Sequence, residues 1–467
     1  MDKKYNIVFY FSDQQRADTC GCYGQQLDIT PNLDRFAQEG VLFENAFTPQ
    51  PVCGPCRAIF QTGLYATSTG CFRNNKMLPI NFKTVANYME GAGYETAYVG
   101  KWHLASEGAL ESKPVIDYQT KAIPPELRGG YTGFWRTSDV LEFTSNGEGG
   151  FVFDENMQKH EFKGYRCSCI TDYALEFLEQ YKKDKHKPFF LTVSHIEPHH
   201  QNNANHYQGP AGSKEKYKNF IPPEDLKAIP GGDWQEEYPD YLGACNSVDE
   251  NFGRVIAKLK EIGVYDDTVI IYTSDHGSHF RTRNKDANLN GHDDYKRTCH
   301  ESAIHIPLVI SGGPFKCKGK RIKELVSTVS IPKTIVTLAG LDVNNYMDGE
   351  RLQDLAMGKT GELKDGEPKG RHARKNEVFL QISESRVGRC VRTPDWKYSV
   401  VAPNLNGGEK GGSDYYVDDF LYDLKADPYE LNNLAHNKDY VNIKSELRKK
   451  LIGWIKDVEG LEVNIGD

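Results

Sequence analysis

The sequence has no long hydrophobic run, no excess of positive charge and no export signal. Its 467 residues contain no apolar run near the roughly 20 residues that a membrane helix needs, and mean hydropathy is −0.61. The formal net charge of −8 gives no electrostatic basis for binding nucleic acid or an anionic membrane. The apolar start lacks the cleavage site of a signal peptide. We therefore expect a cytoplasmic protein, unless a leader has been removed.

The cysteines do not have the spacing of a zinc ribbon. There are 11 of them, and without an export signal they are expected to be reduced. Cys20 and Cys22, like Cys167 and Cys169, form Cys-x-Cys pairs rather than the Cys-x-x-Cys pairs of that metal site. Ordinary thiols are predicted at these four positions.

Short β-branched or aromatic runs alternate with amphipathic segments along most of the chain. The runs are NIVFYF (6–11), ETAYVG (95–100), PFFLTVS (188–194), DTVIIYTS (267–274) and IPLVIS (306–311). The amphipathic segments cover 84–93, 169–183 and 240–263. This alternation predicts an α/β fold with a large, mostly parallel sheet between layers of helices.

A second, smaller unit is predicted at the C-terminal end. The segment near 343–375 is charged, contains glycine and is poor in apolar runs, as linkers are. We therefore divide the chain into a catalytic domain, 1–375, and an α+β subdomain, 376–467. The subdomain is predicted to hold a small antiparallel sheet, a loop over 407–419 and a helix near 440–458.

Polar residues of chemical interest follow four of the predicted strands. They are Asp13 and Gln14, Lys101 and His103, His195, Glu197 and His199, and Asp275 and His276. In sheets of this class the active site lies at the carboxyl ends of the strands. Each residue alone is typical of a helix cap, a surface lysine or a packed histidine, but the repetition at four strand ends favours a shared site.

The residue types at these strand ends indicate a metal and an anion. Carboxylates and an amide oxygen from Asp13, Gln14 and Asp275 suit a hard cation such as calcium or magnesium, and the nitrogen of His276 leaves manganese open. Lys101 and His103 lie two residues apart, so both side chains point the same way from an extended segment. A cation beside an imidazole can bind an oxyanion and transfer a proton.

The segment QPVCGPCRAIFQTG (50–63) contains two overlapping motifs. Cys53 and Cys56 form the Cys-x-x-Cys of a dithiol redox centre. Cys53, Pro55 and Arg57 form Cys-x-Pro-x-Arg, in which a fixed cation near Cys53 stabilises an anionic nucleophile and an anionic substrate. Prolines at 49 and 51 would interrupt the strand that a thioredoxin-like centre needs before its motif, which favours the second interpretation.

The ordered set of motifs resembles the type I, formylglycine-dependent sulfatases of the alkaline phosphatase superfamily. CGPCRAIFQTG resembles their signature, and IVFYFSDQQRADTCGCYG and PNLDRFAQEGVLFENAFT resemble their opening blocks. VGKWHL, EPHH, YTSDHG, YKRTCHESAIHIPLVI, DGERLQDLAMG and LYDLKADPYELNNLA are similar to successive later blocks. The resemblance covers nearly the whole chain in family order. It implies an alkaline phosphatase-like fold with a smaller C-terminal subdomain, and hydrolysis of a sulfate ester.

The resemblance also implies roles for individual residues. A maturase would oxidise Cys53 to formylglycine, whose hydrate is the nucleophile and is held by Arg57. One divalent cation, calcium in the first place, would be bound by Asp13, Gln14, Cys53, Asp275 and His276. The sulfate pocket would be lined by Lys101, His103, His199 and Lys296, with His103 taking a proton from the hydrate and His199 and Lys296 protonating the leaving group. Gln14 and His276 stand where many members have aspartate and asparagine, and Cys56 where many have serine.

The resemblance leaves the substrate and some alternatives open. Candidate substrate contacts are Arg73, Asn74, His200, His279, Arg281 and Arg283. Basic residues here would suit a second anionic group, which favours a sulfated sugar of the glycosaminoglycan or mucin kind, followed by an aryl or steroid sulfate. The alternatives are a phosphonate monoester or phosphodiester hydrolase of the same superfamily, a dithiol redox protein, and a binding protein with an inactive site. A homo-oligomer is left open.

Overall fold

The computed structural model describes residues 3–108, 115–183, 186–283, 294–343, 346–359 and 376–466. Two sheets organise these residues, one of eleven strands and one of five. The strands of the large sheet are β1 (Asn6–Ser12), β2 (Val41–Phe47), β3 (Glu95–Lys101), β4 (Phe134–Ser138), β5 (Ser145–Asn146), β6 (Gly149–Asp154), β7 (Lys159–Lys163), β8 (Phe189–Ser194), β9 (Thr268–Ser274), β10 (Leu308–Ser311) and β11 (Lys320–Ser327).

The centre of the large sheet is parallel. Strands β9, β1, β8, β3 and β4 are neighbours in that order and all run in the same direction. Strand β10 runs antiparallel to β9 and β2, and β5, β6 and β7 form an antiparallel edge. The five apolar runs correspond to β1, β3, β8, β9 and β10, so the predicted large sheet is confirmed. It is parallel at its centre and mixed as a whole.

Helices cover both faces of this sheet. The α-helices of the described residues are α1 (Pro31–Glu39), α2 (Cys53–Thr62), α3 (Ala66–Thr69), α4 (Val85–Gly91), α5 (Leu141–Thr144), α6 (Arg166–Lys183), α7 (Ser213–Lys216), α8 (Glu224–Ala228), α9 (Trp234–Glu261), α10 (Glu301–Ile304), α11 (Ser330–Leu338), α12 (Leu352–Ala356) and α13 (Val441–Glu459). The amphipathic segments correspond to α4, α6 and α9, and the predicted C-terminal helix is α13. In the part of the chain that the structure describes, no helix is long and apolar enough to cross a bilayer.

The alternation of side chains in β1 explains why this strand is apolar throughout. Ile7, Phe9 and Phe11 belong to the core on the face covered by α2, α4 and α11, whereas Val8 and Tyr10 belong to the core under α1, α6 and α9. Successive side chains of a strand point to opposite faces, and both faces are covered here. The strand is therefore fully buried, as expected for the centre of such a sheet.

The smaller sheet contains β12 (Val378–Ile382), β13 (Gly388–Arg392), β14 (Trp396–Val401), β15 (Tyr415–Asp423) and β16 (Asn464–Gly466). Its first four strands are antiparallel neighbours, and β16 pairs in parallel with β15. The predicted loop over 407–419 is wrong in its second half, because Tyr416 and Leu421 of β15 are buried in the same core as α13. Residues 360–375 of the predicted linker lie outside the described residues, and the domain division stays a prediction.

Candidate functional site

Neighbouring parallel strands bring the predicted site residues to one edge of the large sheet. Ser12 of β1 pairs with Ser274 of β9, so Asp13 and Asp275 leave the sheet side by side. Strand β3 lies beyond β8 and ends at Lys101. Cys53 is the first residue of α2, and its side chain is buried. The N-terminus of a helix favours negative charge, which suits an anionic nucleophile at Cys53.

Four side chains form a compact set of potential metal ligands. The donor atoms of Asp13, Cys53, Asp275 and His276 all lie within 4.8 Å of one another. His276 Nε2 is 3.4 Å from Asp13 Oδ1 and 3.5 Å from Asp275 Oδ1. Its Nδ1 lies 3.0 Å from the carbonyl of Gly277, which directs Nε2 toward the carboxylates. All four residues are buried.

Gln14 adds an amide oxygen to this set. Its backbone is left-handed, with φ of 73°, and its Nε2 donates to Tyr207 Oη at 2.7 Å and Ser278 Oγ at 3.2 Å. These bonds fix the amide orientation and leave Oε1 buried without a hydrogen-bond partner. A buried acceptor without a partner is costly, and a cation would satisfy it. Two carboxylates, one amide oxygen and one imidazole therefore fit a divalent cation.

The charge around Cys53 favours its anionic form. Burial raises the pKa of the Cys53 thiol, but Lys101, Lys296 and His276 together lower it well below the ordinary value, and a hydrogen bond with His103 lowers it further. Lys296 Nζ lies 3.0 Å from Cys53 Sγ.

Arg57 forms ion pairs with both carboxylates of the potential metal site. Its Nη2 lies 3.0 Å from Asp13 Oδ2 and 3.4 Å from Asp275 Oδ2. Its Nη1 donates to the carbonyl of Lys101 at 2.7 Å and to Ser194 Oγ at 2.6 Å. These bonds orient both carboxylates and join α2 to two strand ends, so Arg57 has a positioning role in this geometry.

Lys101 lies between two buried carboxylates. Its Nζ is 2.9 Å from Asp13 Oδ2 and 3.3 Å from Glu142 Oε2. Burial lowers the pKa of Lys101, but the two carboxylates and Cys53 raise it above its usual value. Lys101 is therefore charged at any working pH and can stabilise negative charge beside Cys53.

His199 and Lys296 are in contact with each other beside Cys53. His199 Nε2 is 2.7 Å from Lys296 Nζ, and His199 Nδ1 is 2.5 Å from the carbonyl of His200. The carbonyl accepts a hydrogen bond from Nδ1–H, which leaves Nε2 to accept a hydrogen bond from Lys296. The two side chains are therefore hydrogen-bonded to each other beside Cys53.

These residues form what we call the inner site, namely Asp13, Gln14, Cys53, Arg57, Lys101, His103, Glu142, His199, Asp275, His276 and Lys296. The other two residues after β8 point elsewhere. His195 packs against Tyr10 with ring centroids 4.9 Å apart, and burial lowers its pKa to about 4. Glu197 pairs with Arg166 at 2.8 Å. A turn at residues 197–198 separates His199 from the strand, and His199 Nε2 lies 4.0 Å from Asp13 Oδ1.

The six candidate substrate contacts are spread over several environments. Asn74 Oδ1 accepts from the backbone N–H of Gly54 at 2.8 Å, which caps α2 beside Cys53. Arg73 donates to the carbonyls of Asn74 and Asn75. His200 is buried against Tyr295, and burial lowers its pKa to about 4.

The remaining three candidates lie on one loop but in different surroundings. His279 is fully buried. Arg281 is partly exposed, lies over the ring of Tyr295 and pairs with Asp233 at 3.4 Å. Arg283 donates to the carbonyls of Tyr429 and Glu430, away from Cys53.

The C-terminal subdomain contributes to the edge of the pocket. Glu384 follows β12 and accepts hydrogen bonds from Arg297 Nε and from the backbone N–H of Asn74. Arg297 follows Lys296 directly, and Cys53 is among the groups that raise its pKa after burial has lowered it. We call the polar residues that adjoin the inner site along the chain or through their contacts with one another the rim, namely Arg73, Asn74, Asn205, Asp233, Arg281, Asp294, Arg297 and Glu384.

Sequence reasoning missed several residues of the site. Glu142 lies on α5, a short distance after β4, and the strand-end rule would have found it if FWRTS had been identified as a strand. Ser194, Tyr207 and Ser278 hold Arg57 and Gln14. Their sequence carries no signal, because ordinary hydroxyl residues acquire this role only through contacts between distant segments.

The Cys-x-x-Cys interpretation receives little support from the geometry. Cys53 and Cys56 are both free thiols. Cys56 Sγ accepts a hydrogen bond from Thr48 Oγ1 at 3.4 Å, and burial raises its pKa. Cys53 instead faces Asp13, His276 and Lys296, which is a hydrolytic environment rather than a dithiol centre.

Known proteins share this sequence pattern and fold. The family model described as Sulfatase matches residues 5–341. An ulvan-active sulfatase of Formosa agariphila is 28% identical over 96% of this chain and 80% of its own length. An N-acetylglucosamine-6-O-sulfatase of Bacteroides thetaiotaomicron is 25% identical over 96% of this chain and 86% of its own length.

Solved structures share the fold at lower identity. A protein in complex with its substrate D-glucosamine-2-N,6-O-disulfate superposes with a TM-score of 0.73 at 23% identity, covering 98% of this chain and 99% of that one. A phosphonate monoester hydrolase of Agrobacterium radiobacter superposes with a TM-score of 0.64 at 21% identity, covering 97% and 95%. At these identities the likeness concerns the fold alone, and the fold is that of the alkaline phosphatase and sulfatase group.

Proposed function

Since this chain belongs to the sulfatase family and is a sulfuric ester hydrolase, we propose that it removes sulfate from a carbohydrate, using formylglycine made from Cys53 and one divalent cation. The observation that carries the proposal is the ring of Lys101, His199 and Lys296 around Cys53 at the start of α2. A sulfate ester is anionic, and its leaving oxygen gains charge in the transition state. Cations fixed around that position in a buried site stabilise this charge.

Asp13, Gln14, Asp275 and His276 would hold the cation, and their three oxygen ligands favour calcium. A formylglycine hydrate would supply one hydroxyl to attack sulfur and a second to expel sulfate, and the bound cation would supply positive charge beside that hydrate. Arg57 keeps Asp13 and Asp275 in place through its ion pairs. A maturase that oxidises Cys53 is a necessary partner in this proposal.

Different residues of the inner site would carry out the two proton transfers of the reaction. His103 hydrogen-bonds to the side chain at position 53 and can take a proton from a hydroxyl there. Lys101 and Lys296 bind the sulfate oxygens. His199 and Lys296 share protons through their contact of 2.7 Å, so this pair can protonate the leaving alcohol.

A sugar is proposed because the rim is polar. Arg281, Asp233 and Asp294 are partly exposed, and Asn205 accepts a hydrogen bond from Arg281. Such groups suit sugar hydroxyls and anionic substituents better than the apolar rings of a steroid. The two carbohydrate sulfatases named among the relatives are consistent with this choice.

The test uses protein produced with an active maturase and supplied with calcium. Release of inorganic sulfate is measured from sulfated mono- and oligosaccharides, an aryl sulfate and a steroid sulfate, and release of alcohol from a phosphonate monoester and a phosphodiester. We expect the highest kcat/KM on a sulfated sugar. A higher kcat/KM on the steroid sulfate would contradict the sugar proposal.

The second candidate function is phosphonate monoester or phosphodiester hydrolysis. The fold likeness to a phosphonate monoester hydrolase supports it, and the inner site would accommodate either monoanionic ester. A kcat/KM on the phosphonate monoester that exceeds that on every sulfate ester would favour this candidate instead.

A further inference from the structure

Glu142 is a buried carboxylate in the inner site that the mechanism above does not use. Its side chain is 4% exposed and lies 3.3 Å from Lys101 Nζ. Its Oε2 makes this ion pair but no hydrogen bond, although a buried anion ordinarily receives several donors. A carboxylate held in this way beside an anion-binding pocket needs an explanation, because it opposes the binding of negative charge.

The ionisation state of Glu142 is settled by its surroundings. Burial raises its pKa, but Lys101, His199 and His103 lower it more, to about 2. The group is therefore an anion at every pH at which the protein is expected to work. It also interacts electrostatically with Cys53, so its charge is felt at the reacting position.

Lys101 is consequently shared by two anions. Asp13 accepts it at 2.9 Å and Glu142 at 3.3 Å, and Asp13 is already committed to Arg57 and the cation site. Glu142 therefore offsets part of the positive charge that Lys101 offers to a bound anion. The other cations of the inner site still attract a substrate with one negative charge, but the Glu142 carboxylate makes the binding of a second negative charge less favourable.

We propose that Glu142 is a specificity-determining residue that lets this site accept monoanionic esters and disfavour dianionic phosphate monoesters. A sulfate monoester carries one negative charge, and a phosphate monoester carries close to two above its second pKa of about 6. The two esters are otherwise alike in size and geometry. The charge difference persists from the bound ester to the transition state, so it changes kcat/KM.

The inference rests on the proposed function, since it concerns the same anion pocket. It is tested by comparing Glu142→Gln, which keeps the shape and removes the charge, with Glu142→Asp, which keeps the charge. A third variant, Glu459→Gln, removes a buried carboxylate that pairs with Arg389 at 2.6 Å in the C-terminal subdomain. Thermal melting of all three variants establishes that they are folded.

Three esters of one leaving group are assayed at pH 8, namely 4-nitrophenyl sulfate, 4-nitrophenyl phosphate and a 4-nitrophenyl phosphodiester. The phosphodiester is a phosphorus ester with a single negative charge. In Glu142→Gln we expect kcat/KM for the phosphate monoester to rise on the order of tenfold relative to both monoanionic esters. The sulfate-to-phosphodiester ratio should stay within about twofold, and Glu142→Asp and Glu459→Gln should keep all the wild-type ratios.

Binding provides a readout that needs no turnover. In a Cys53→Ala background with calcium present, calorimetry should show that Glu142→Gln tightens binding of 4-nitrophenyl phosphate about tenfold more than that of 4-nitrophenyl sulfate. An unchanged monoester-to-diester ratio in Glu142→Gln, or an equal change in Glu142→Asp, would overturn the inference. The monoester-to-diester ratio compares two phosphorus esters, so its value does not depend on whether the protein prefers sulfate. Failure of the proposed function would appear separately, as poor turnover of the sulfate ester.

Discussion

The inner site and the rim adjoin each other, but their charged groups differ in their exposure to solvent. In the inner site the charged side chains form buried ion pairs. Lys101 pairs with Asp13 and Glu142, and Arg57 pairs with Asp13 and Asp275. At the rim, Arg281 pairs with Asp233 and Arg297 with Glu384, but these side chains are more exposed than those of the inner site, and Arg73 donates to backbone carbonyls.

This difference separates chemistry from recognition. Charges that pair in a buried environment hold each other in fixed positions, and their interactions are little screened by water. A fixed arrangement of charge is what stabilises a transition state. Partly exposed groups can change partners when a ligand arrives, so substitutions at the rim should alter substrate binding, whereas substitutions in the inner site should alter turnover.

The largest effect is expected at Cys53. Cys53→Ala removes the group from which the nucleophile is made, and we expect kcat to fall at least about 10³-fold. The matched control is Cys56→Ser, which changes the other cysteine of the same motif and should retain activity within about threefold. Sulfate release from the best substrate is the measurement. Equal losses in the two variants would instead support a dithiol centre.

The next effect concerns the cation. Asp13→Asn removes one negative charge from the ligand set and from the contacts with Arg57 and Lys101, so we expect kcat to fall about 10²-fold or more. Added calcium should raise the melting temperature of the wild-type protein, because it binds only the folded state. The variant should lose this shift. A calcium-dependent shift of the same size in Asp13→Asn would rule out a ligand role for this residue.

A smaller and more selective effect is expected at His199. If His199 and Lys296 protonate the leaving alcohol, His199→Ala should reduce kcat/KM on a sugar sulfate about 10²-fold. A 4-nitrophenyl leaving group needs no proton, so the loss there should be below about tenfold. The comparison of the two substrates in one variant is the measurement, and equal losses would contradict proton donation.

The smallest effect is expected at the rim. Glu384→Gln weakens the contact with Arg297 beside Cys53, and we expect KM for a sugar sulfate to rise about three- to tenfold with kcat within about twofold. Arg283→Ala is the control, because Arg283 also joins the two parts of the chain but donates to Tyr429 and Glu430 away from Cys53. A fall in kcat without a change in KM would place Glu384 among the residues that act in turnover.

Much of the inner site could be predicted because its residues follow apolar strands directly. Asp13, Lys101, His199 and Asp275 come at or just after the ends of β1, β3, β8 and β9, and these strands are neighbours in the sheet. The position of a residue after a strand is visible in the sequence. The pairing of neighbouring parallel strands then brings the side chains together.

Other features depended on contacts that the sequence does not display. Glu142 pairs with Lys101 across two connections, and Glu384 reaches Asn74 from a separate sheet. The glycine and charge before β15 predict a loop over part of this strand, yet packing against α13 decides its conformation. Local patterns cannot encode such contacts, since they depend on how distant elements are placed.

The most direct test of the central claim is the mass of the proteolytic peptide that contains Cys53, from protein made together with an active maturase. We predict a peptide about 18 Da lighter than the unmodified cysteine peptide, the change that conversion to formylglycine produces. Such a peptide from protein that releases sulfate would establish the nucleophile. An unmodified thiol at Cys53 in protein that nevertheless hydrolyses sulfate esters at full rate would contradict the account.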